Sequence, residues 1–226
     1  MIKQIHVNSC DSTQDILKEQ LMDHEGSGPI LVSCEKQVKG RGRGEKEWAS
    51  MPGSLCFSLS IKPHVEPSFT ALEISLLITK FFEDIGKELK LKWPNDIWNK
   101  HHQKCCGVLV QNSQSHMMAG IGLNLYSSDP LYGAVFDEEF DFDKKPWARE
   151  IAQFILDHRY HSTDELKKDW NERCFHLNKE VTITESSEVY QGVFLGLGIH
   201  GEAVLATSQG EMRLYNGTLR PVSSAH

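Results

Sequence analysis

The clearest period of two along the chain lies in residues 54–61, where apolar side chains alternate with serine and cysteine. This alternation predicts a β-strand with one apolar face. Residues 68–88 instead carry isoleucine, leucine and phenylalanine at helical spacing, with charged side chains on the opposite face. That spacing predicts an amphipathic helix, and Gly86 near its end is a typical helix stop.

Weaker patterns predict further elements on either side of these two segments. Short apolar runs predict strands over residues 2–7, 29–35, 89–93, 106–111 and 117–125. Start signals predict helices that begin at Ser12, Pro146 and Ser162. After residue 176, glycine-rich turns separate four shorter strand candidates, which cover residues 180–185, 189–195, 202–207 and 212–215. The sequence therefore predicts an α+β fold that ends in a small β-barrel.

Composition narrows the class of protein without changing this fold prediction. The chain has 226 residues, a net charge of −7 and 39% hydrophobic residues, which is typical of a soluble globular protein. The negative charge disfavours general nucleic-acid binding, and no apolar run is long enough to span a membrane. The six cysteines form no CxxC pair, so we expect reduced thiols in a cytoplasmic protein.

Candidate chemistry centres on residues 40–48, in which three glycines alternate with Arg41 and Arg43 before Trp48. Glycine permits a tight turn whose N–H groups bind anions, and arginine adds a fork of donors that fits phosphate or carboxylate. An indole offers a flat face on which a base can stack. The segment lacks the features of a P-loop and of a dinucleotide fingerprint. By itself it is equally compatible with a solvated basic turn.

A second candidate pattern is a metal site formed by His101-His102 and Cys105-Cys106. Adjacent cysteines on a strand point to opposite faces, so only one of them can join the histidines. Tetrahedral zinc needs more ligands than this arrangement leaves, and we therefore do not expect a zinc site.

The glycine–arginine segment is accompanied by further motifs in a fixed order. They are Asp11-Ser12-Thr13-Gln14, Lys92-Trp93-Pro94-Asn95-Asp96, Lys104 to Val110, Gly120-Ile121-Gly122-Leu123-Asn124 and Leu219-Arg220. Together these motifs, which span nearly the whole chain, resemble those of the biotin protein ligases. The resemblance implies a catalytic domain over residues 1–176, with a mixed β-sheet flanked by helices. It implies an SH3-like barrel over residues 177–226.

Biotin protein ligases couple two reactions, and the resemblance implies both for this chain. The biotin carboxylate first attacks the α-phosphate of ATP, with Mg²⁺, to give biotinyl-adenylate. A lysine of a biotin carboxyl carrier protein then displaces AMP. Both steps need negative charge to be neutralised and the reactants to be held in line. We expect a monomer or weak homodimer. We also expect no DNA binding, because Asp11 lies too close to Met1 for the helix-turn-helix domain that some relatives carry.

The resemblance also assigns roles to individual residues of this sequence. For biotin it implies contacts from Ser12, Thr13, Gln37, Gly40, Arg41, Lys104 and Gly107. For ATP and the adenylate it implies contacts from Arg41, Arg43, Trp48, Asn95, Asn124 and Arg220. The catalytic roles fall to Arg41, Lys104 and Asp96. The Asp96 carboxylate is expected to serve either Mg²⁺ or the incoming amine.

The sequence departs from the family pattern at several positions near these motifs, which include Cys105-Cys106 and a shortened ending before Arg220. Glu45 and Glu47 stand where relatives often carry basic residues, and Gln111 stands where many have glutamate. Two other functions stay open. Transfer of lipoate or octanoate on a related fold is disfavoured by the glycine–arginine alternation. A non-catalytic biotin or nucleotide sensor is disfavoured because the candidate catalytic residues are present.

Overall fold

The computed structural model describes residues 1–23, 28–44, 46–113 and 116–222, so that Glu45 lies outside the described residues. The helices are α1 (Thr13–Asp23), α2 (Thr70–Asp84), α3 (Lys144–Asp157) and α4 (Thr163–Glu172), with a 3-10 turn at Pro67–Phe69. The first strands are β1 (Lys3–Cys10), β2 (Ile30–Gln37), β3 (Gly40–Arg41), β4 (Glu47–Trp48), β5 (Ser54–Ile61), β6 (Leu89–Lys92), β7 (Asp96–Asn99), β8 (Lys104–Ser113) and β9 (His116–Asn124). The last strands are β10 (Glu180–Glu185), β11 (Glu188–Leu197), β12 (Ala203–Thr207), β13 (Gly210–Leu214) and β14 (Thr218–Pro221).

A seven-stranded sheet with the order β1-β2-β5-β9-β8-β7-β6 organises the larger part of the chain. Its β1 and β2 run parallel and the other described pairs run antiparallel, so the predicted mixed sheet flanked by helices is confirmed. The predicted strand over residues 54–61 coincides with β5. The sequence does not predict β7, because Pro94 reads as a strand stop. In the structure the chain turns within residues 93–95, and Asp96 already pairs with Lys92.

Helices cover both faces of this sheet, which explains why β5 is buried along its whole length. The apolar side chains of β5, including Leu55 and Phe57, belong to the main core that also contains α2 and α3. A smaller core on the other face joins Leu17 and Leu21 of α1 to Met118. The serine and cysteine side chains of β5 face that second side. They are therefore shielded from solvent by α1 and its surroundings rather than exposed.

The second helix is shorter than the helix predicted over residues 68–88. It ends at Asp84, and Gly86 follows with a φ of 78°, a left-handed conformation that terminates helices. Glu73 is fully buried on α2, and its carboxylate lies 2.7 Å from Arg159. This ion pair ties α2 to the segment that follows α3, and it supplies the partner that a buried charge requires.

The chain after α4 forms a five-stranded antiparallel sheet with the order β13-β12-β11-β10-β14. The predicted small β-structure is thereby confirmed, although the described pairings leave β13 and β14 at its two edges instead of closing a barrel. This small sheet contacts the turn of the β6–β7 hairpin. Trp93 lies in that turn, and its indole N–H donates to the carbonyl of Gly201, between β11 and β12, at 3.0 Å. The boundary at residue 176 stays a prediction.

The cysteines and histidines of the discarded zinc pattern have other surroundings. All six cysteines are free, and burial raises the pKa of Cys105 to about 12. His101 lies 3.3 Å from Asp137 on the surface. Among the described residues, no group of three or more His, Cys, Asp or Glu is placed to hold a metal ion. None of the helices described here is long and apolar enough to cross a membrane.

Candidate active site

A cavity opens on the α1 side of the large sheet, between the first turn of α1, the β3–β4 hairpin and the small sheet. Its floor comes from Ser58, residues 107–109 and residues 120–122. Its walls come from residues 12–14, Gln37, residues 41–43, residues 46–48, residues 92–96, Lys104, Thr218 and Leu219. Motifs that are far apart in the sequence therefore meet at one site.

Three glycines keep the floor of the cavity flat. Gly107 and Gly122 pair with each other across β8 and β9, and Gly120 lies two residues before Gly122. A Cβ on Gly122 would lie 2.3 Å from the Trp48 indole, and a Cβ on Gly120 would lie 2.7 Å from the Gln14 amide. Because these positions carry no side chain, Trp48 and Gln14 can lie directly on the sheet.

The glycine–arginine segment folds as the β3–β4 hairpin, in which Gly40 pairs with Trp48. A side chain has no room at Gly40, since a Cβ there would lie 2.4 Å from the Trp48 carbonyl oxygen. The Gly42 N–H donates to the Lys46 carbonyl at 2.7 Å and closes the hairpin. The alternating glycines thus allow a tight hairpin, which holds the Trp48 side chain over the glycine floor.

The first turn of α1 supplies a polar cluster at one end of the cavity. The Thr13 N–H and hydroxyl donate to the Gln37 side-chain oxygen at 2.8 and 3.0 Å, and the hydroxyl lies 2.7 Å from Ser58 Oγ. Ser12 accepts from the Gln14 N–H at 3.3 Å. The Gln14 Oε1 atom is buried and has no hydrogen-bond partner within the described part of the chain. A buried acceptor left unpaired is costly, so this end favours a ligand that donates.

Asp96 lies at the opposite end of the cavity, between two lysine ammonium groups. Its Oδ1 is 2.6 Å from Lys104 Nζ, and its Oδ2 is 3.4 Å from Lys92 Nζ. Burial lowers the pKa of Lys92, and the side chain is only 11% exposed. Lys104 is more exposed, and its Nζ lies 5.8 Å from the centre of a Trp48 ring. With both lysines charged, this end attracts an anionic group.

The two arginines of the hairpin are held in different ways. Arg41 Nη2 lies 2.5 Å from the Asp15 carboxylate on the first turn of α1, and both side chains are about half exposed. Arg43 instead reaches the small sheet and donates to the Gly217 carbonyl. Burial lowers the pKa of the Arg43 guanidinium. The hairpin is therefore attached to α1 on one side and to the small sheet on the other.

Most of the predicted site residues line this cavity. They are Ser12, Thr13, Gln37, Arg41, Arg43, Trp48, Asn95, Asp96, Lys104 and Gly107. Gly40 shapes the hairpin without lining the cavity. Asn124 does not line it either, because its amide is bonded to Ser54 Oγ at 2.8 Å and to the Gly133 carbonyl at 3.1 Å. Arg220 is exposed outside the cavity, because the preceding Leu219 takes the inward position on β14.

Sequence reasoning gives no role to several polar residues that line the cavity, which include Gln14, Lys46, Lys92 and Thr218. Lys46 Nζ reaches Thr218 Oγ1 at 3.4 Å, and only the tertiary structure brings these residues together. Lys92 has a signal in the sequence, since a hairpin that turns at Pro94 pairs positions 92 and 96. That signal is lost when Pro94 is taken only as the end of a strand.

Asp96 does not form a metal site with other protein carboxylates. Mg²⁺ is usually held by one or two carboxylates together with substrate phosphates and water. Both Asp96 oxygens contact lysines, and the other described carboxylate at the cavity belongs to exposed Glu47. The described residues therefore do not fit a Mg²⁺ ion that is held by the protein alone.

Comparison with known proteins points to one family. A profile described as the biotin/lipoate A/B protein ligase family matches residues 7–125. The chain is 30% identical to the biotin–[acetyl-CoA-carboxylase] ligase of Paracoccus denitrificans over 210 aligned residues, covering 79% of this chain and 85% of the relative. It is 23% identical to the bifunctional ligase/repressor BirA of Bacillus subtilis over 238 aligned residues, covering 95% of this chain and 73% of the relative.

Solved structures give the same result. The biotin protein ligase of Aquifex aeolicus in complex with biotin and ATP matches with a TM-score of 0.81 and 25% identity, over 97% of this chain and 99% of that one. The biotin acetyl coenzyme A carboxylase synthetase of Helicobacter pylori, with bound biotinylated ATP, matches with a TM-score of 0.72 and 21% identity, over 94% and 100%. The second match, at its lower identity, supports the fold alone.

Proposed function

Because this chain belongs to the biotin/lipoate A/B protein ligase family, we propose that it is an ATP-dependent biotin–protein ligase. It forms biotinyl-5′-adenylate and transfers the biotinyl group to a lysine of a biotin carboxyl carrier protein. We assign catalysis to residues 1–176 and a supporting role to residues 177–226. The six free thiols support a cytoplasmic location.

The layout of the cavity is the observation that carries this proposal. A polar cluster and a cationic end lie at opposite ends of a glycine floor, and biotin has a polar ureido ring, an aliphatic chain and a carboxylate in that order. We assign the ureido ring to Thr13 and Gln37. An N–H group of that ring would donate a hydrogen bond to the unpaired Gln14 Oε1. Because the Trp48 ring already lies against Gly122, the aliphatic chain would lie on the floor beside Trp48, and the carboxylate would meet Lys104.

Lipoate and octanoate, the runner-up substrates, carry a carboxylate but no polar ring. They would leave the Gln14 and Gln37 side chains facing apolar atoms. A site built to hydrogen-bond its substrate can reject an analogue without those groups by about 10⁴-fold. A non-catalytic sensor is disfavoured because the candidate catalytic residues Arg41, Lys104 and Asp96 all line the cavity.

The first reaction joins biotin to the nucleotide. A carboxylate oxygen of biotin bonds to the α-phosphorus of ATP while the bond to the bridging oxygen of the β-phosphate breaks, and pyrophosphate leaves. Lys104, Arg43 and Lys46 supply the positive charge that this transfer needs. Mg²⁺ would enter bound to the phosphates and neutralise part of their charge. The β3–β4 hairpin would exclude water from the reactive anhydride.

We propose that the nucleotide contacts Arg43, Trp48 and Asn95, which already line the cavity. Asn124 and Arg220 would contribute only after a rearrangement. The Asn124 amide would have to leave its two hydrogen bonds, and Arg220 would have to turn inward from the surface of β14. This assignment separates a nucleotide subsite at the hairpin from the biotin subsite at α1.

The function is tested by intact-mass analysis of an acceptor. The purified protein is incubated with ATP, Mg²⁺, biotin and a biotin carboxyl carrier domain, and lipoate or octanoate replaces biotin in parallel samples. We expect the acceptor to gain one biotinyl group, and an acceptor whose target lysine is changed to arginine to gain none. Faster transfer of lipoyl or octanoyl groups would favour the runner-up. Failure to modify the acceptor with any acid would favour a sensor.

A further inference from the structure

Lys92 is a buried cation at the edge of the cavity, and the first reaction as proposed above gives it no role. Its side chain is 11% exposed, and its Nζ lies 3.4 Å from Asp96 Oδ2 and 4.9 Å from the centre of the Trp98 ring. Burial of an ammonium group is unfavourable unless the charge is used by a partner. The ion pair with Asp96 is therefore the feature to explain.

The two lysines that flank Asp96 differ in how firmly they are held. Lys92 pairs with Asp96 in the register of the β6–β7 hairpin and packs over Trp98, so it has little freedom to leave Oδ2. Lys104 binds Oδ1 from the first residue of β8, and its side chain is 43% exposed. Lys104 can therefore turn toward a ligand while Lys92 stays in place.

This difference has a consequence for the proposed ligase reaction. When Lys104 turns to the biotin carboxylate or the phosphate, Asp96 Oδ1 loses its partner and faces the cavity. We infer that Lys92 is a positioning residue that holds Asp96 by Oδ2, so that the freed Oδ1 receives the ammonium group of the acceptor lysine. The inference rests on the proposed function and adds a residue to its second reaction.

The second reaction can be written around that oxygen. The acceptor ammonium donates one proton to Asp96 Oδ1, and the neutral nitrogen attacks the carbonyl carbon of biotinyl-adenylate. A carbon–nitrogen bond forms, the bond from the carbonyl carbon to the phosphate oxygen breaks, and AMP leaves with that electron pair. The nitrogen then loses its second proton to water. Lys92 touches none of the reacting atoms and acts through Asp96.

The test compares two nucleophiles on the same adenylate. Enzyme in excess is mixed with purified biotinyl-adenylate, so that binding of ATP does not enter the measurement. The complex is then divided between the carrier domain and hydroxylamine, which is uncharged at neutral pH and needs no base to remove an ammonium proton. For Lys92→Met we expect the rate with the carrier relative to hydroxylamine to fall about ten- to a hundredfold. Lys92→Arg should restore most of that ratio.

Lys90→Met is the matched control, because Lys90 lies on the same strand, pairs with Glu88 at 3.3 Å and does not line the cavity. We expect it to keep the wild-type ratio. Retention of biotinyl-adenylate by each variant through gel filtration reports that its site is folded. An unchanged ratio in Lys92→Met would overturn the role of Lys92 while leaving the ligase function intact. This holds also when the rates with both nucleophiles fall by the same factor. A wild-type protein that transfers no biotin would contradict both the role of Lys92 and the proposed ligase function.

Discussion

The Trp48 indole packs so closely on the backbone of Gly122 that a Cβ on Gly122 would lie 2.3 Å from the ring. Trp48 is the last residue of the β3–β4 hairpin, and Gly122 lies in the centre of the large sheet. The closed position of the hairpin therefore depends on the absence of a methyl group from the floor.

Gly122→Ala should displace Trp48 from the floor, where its ring borders the biotin subsite. Overpacking of this kind costs about 1–3 kcal/mol, which corresponds to roughly a five- to 150-fold rise in the KM for biotin. Steady-state kinetics with varied biotin would measure it. Gly28→Ala is the control, since the nearest atom to a Cβ there is at 3.6 Å, an ordinary contact. An unchanged KM in Gly122→Ala would show that the position of Trp48 on the floor does not affect biotin binding.

Arg41→Ala should weaken retention of the adenylate. The variant loses the ion pair to Asp15 that joins the hairpin to α1, and it loses a cation beside the anhydride. We expect biotinyl-adenylate to escape and to label an unrelated protein, such as serum albumin, more than wild type does. Arg149→Ala removes an exposed arginine on α3 and serves as the control. Equal labelling by wild type and Arg41→Ala would show that Arg41 does not retain the intermediate.

Arg43 and Arg220 provide a direct comparison of two arginines proposed for ATP. Arg43 lines the cavity and contacts the small sheet at Gly217, whereas Arg220 is exposed on β14. We expect Arg43→Ala to raise the KM for ATP by about tenfold or more, since a charged hydrogen bond contributes about 1.5–3 kcal/mol. Arg220→Ala should change it less, and the KM for biotin should change little in either variant. A larger rise in the KM for ATP in Arg220→Ala than in Arg43→Ala would show that Arg220, and not Arg43, contacts the nucleotide.

His176 should make the protein sensitive to acid. It is fully buried against Phe194, and burial, with smaller effects of Lys92 and Lys179, lowers its pKa from 6.5 to about 3. Between these values the unfolded chain binds the additional proton, so the free energy of unfolding falls as the pH falls. This contribution is up to about 1.4 kcal/mol per pH unit, and it is absent above pH 6.5.

Chemical denaturation at a series of pH values would measure this dependence. His176→Phe should reduce the slope between pH 6.5 and pH 3 relative to wild type, because the titrating group is gone. His161→Phe, a change to an exposed histidine, is the control for the loss of one imidazole. Identical slopes in wild type and His176→Phe would contradict the assignment.

The sequence predicted the elements whose pattern is local. The alternation of residues 54–61 identifies β5, because a period of two can be read without knowing any neighbour. The glycine–arginine segment predicts a tight turn, but it does not predict the hairpin in which Gly40 pairs with Trp48. Packing explains the glycine floor, since each glycine there faces a side chain from a distant segment.

The positions of three residues relative to the cavity depend on tertiary structure. Asn124 was expected at the nucleotide, but its amide is satisfied by Ser54 and Gly133, which no local pattern places beside it. Arg220 falls on the outer side of a strand that had no clear sequence signal. Sequence reasoning does not identify Lys92, because the contact of Lys92 with Asp96 depends on their pairing across a turn.

The central claim is that this cavity activates biotin with ATP, and ATP–pyrophosphate exchange tests it most directly. Exchange of labelled pyrophosphate into ATP would be measured with biotin, with lipoate and without either acid. We predict exchange that requires biotin and is about ten- to a hundredfold slower in Lys104→Ala, which removes the cation at the reacting carboxylate. Lys100→Ala, which breaks only a surface ion pair with Asp137 at 2.7 Å, should exchange at the wild-type rate. Exchange that proceeds without biotin, that lipoate supports equally, or that is unchanged in Lys104→Ala would contradict the claim.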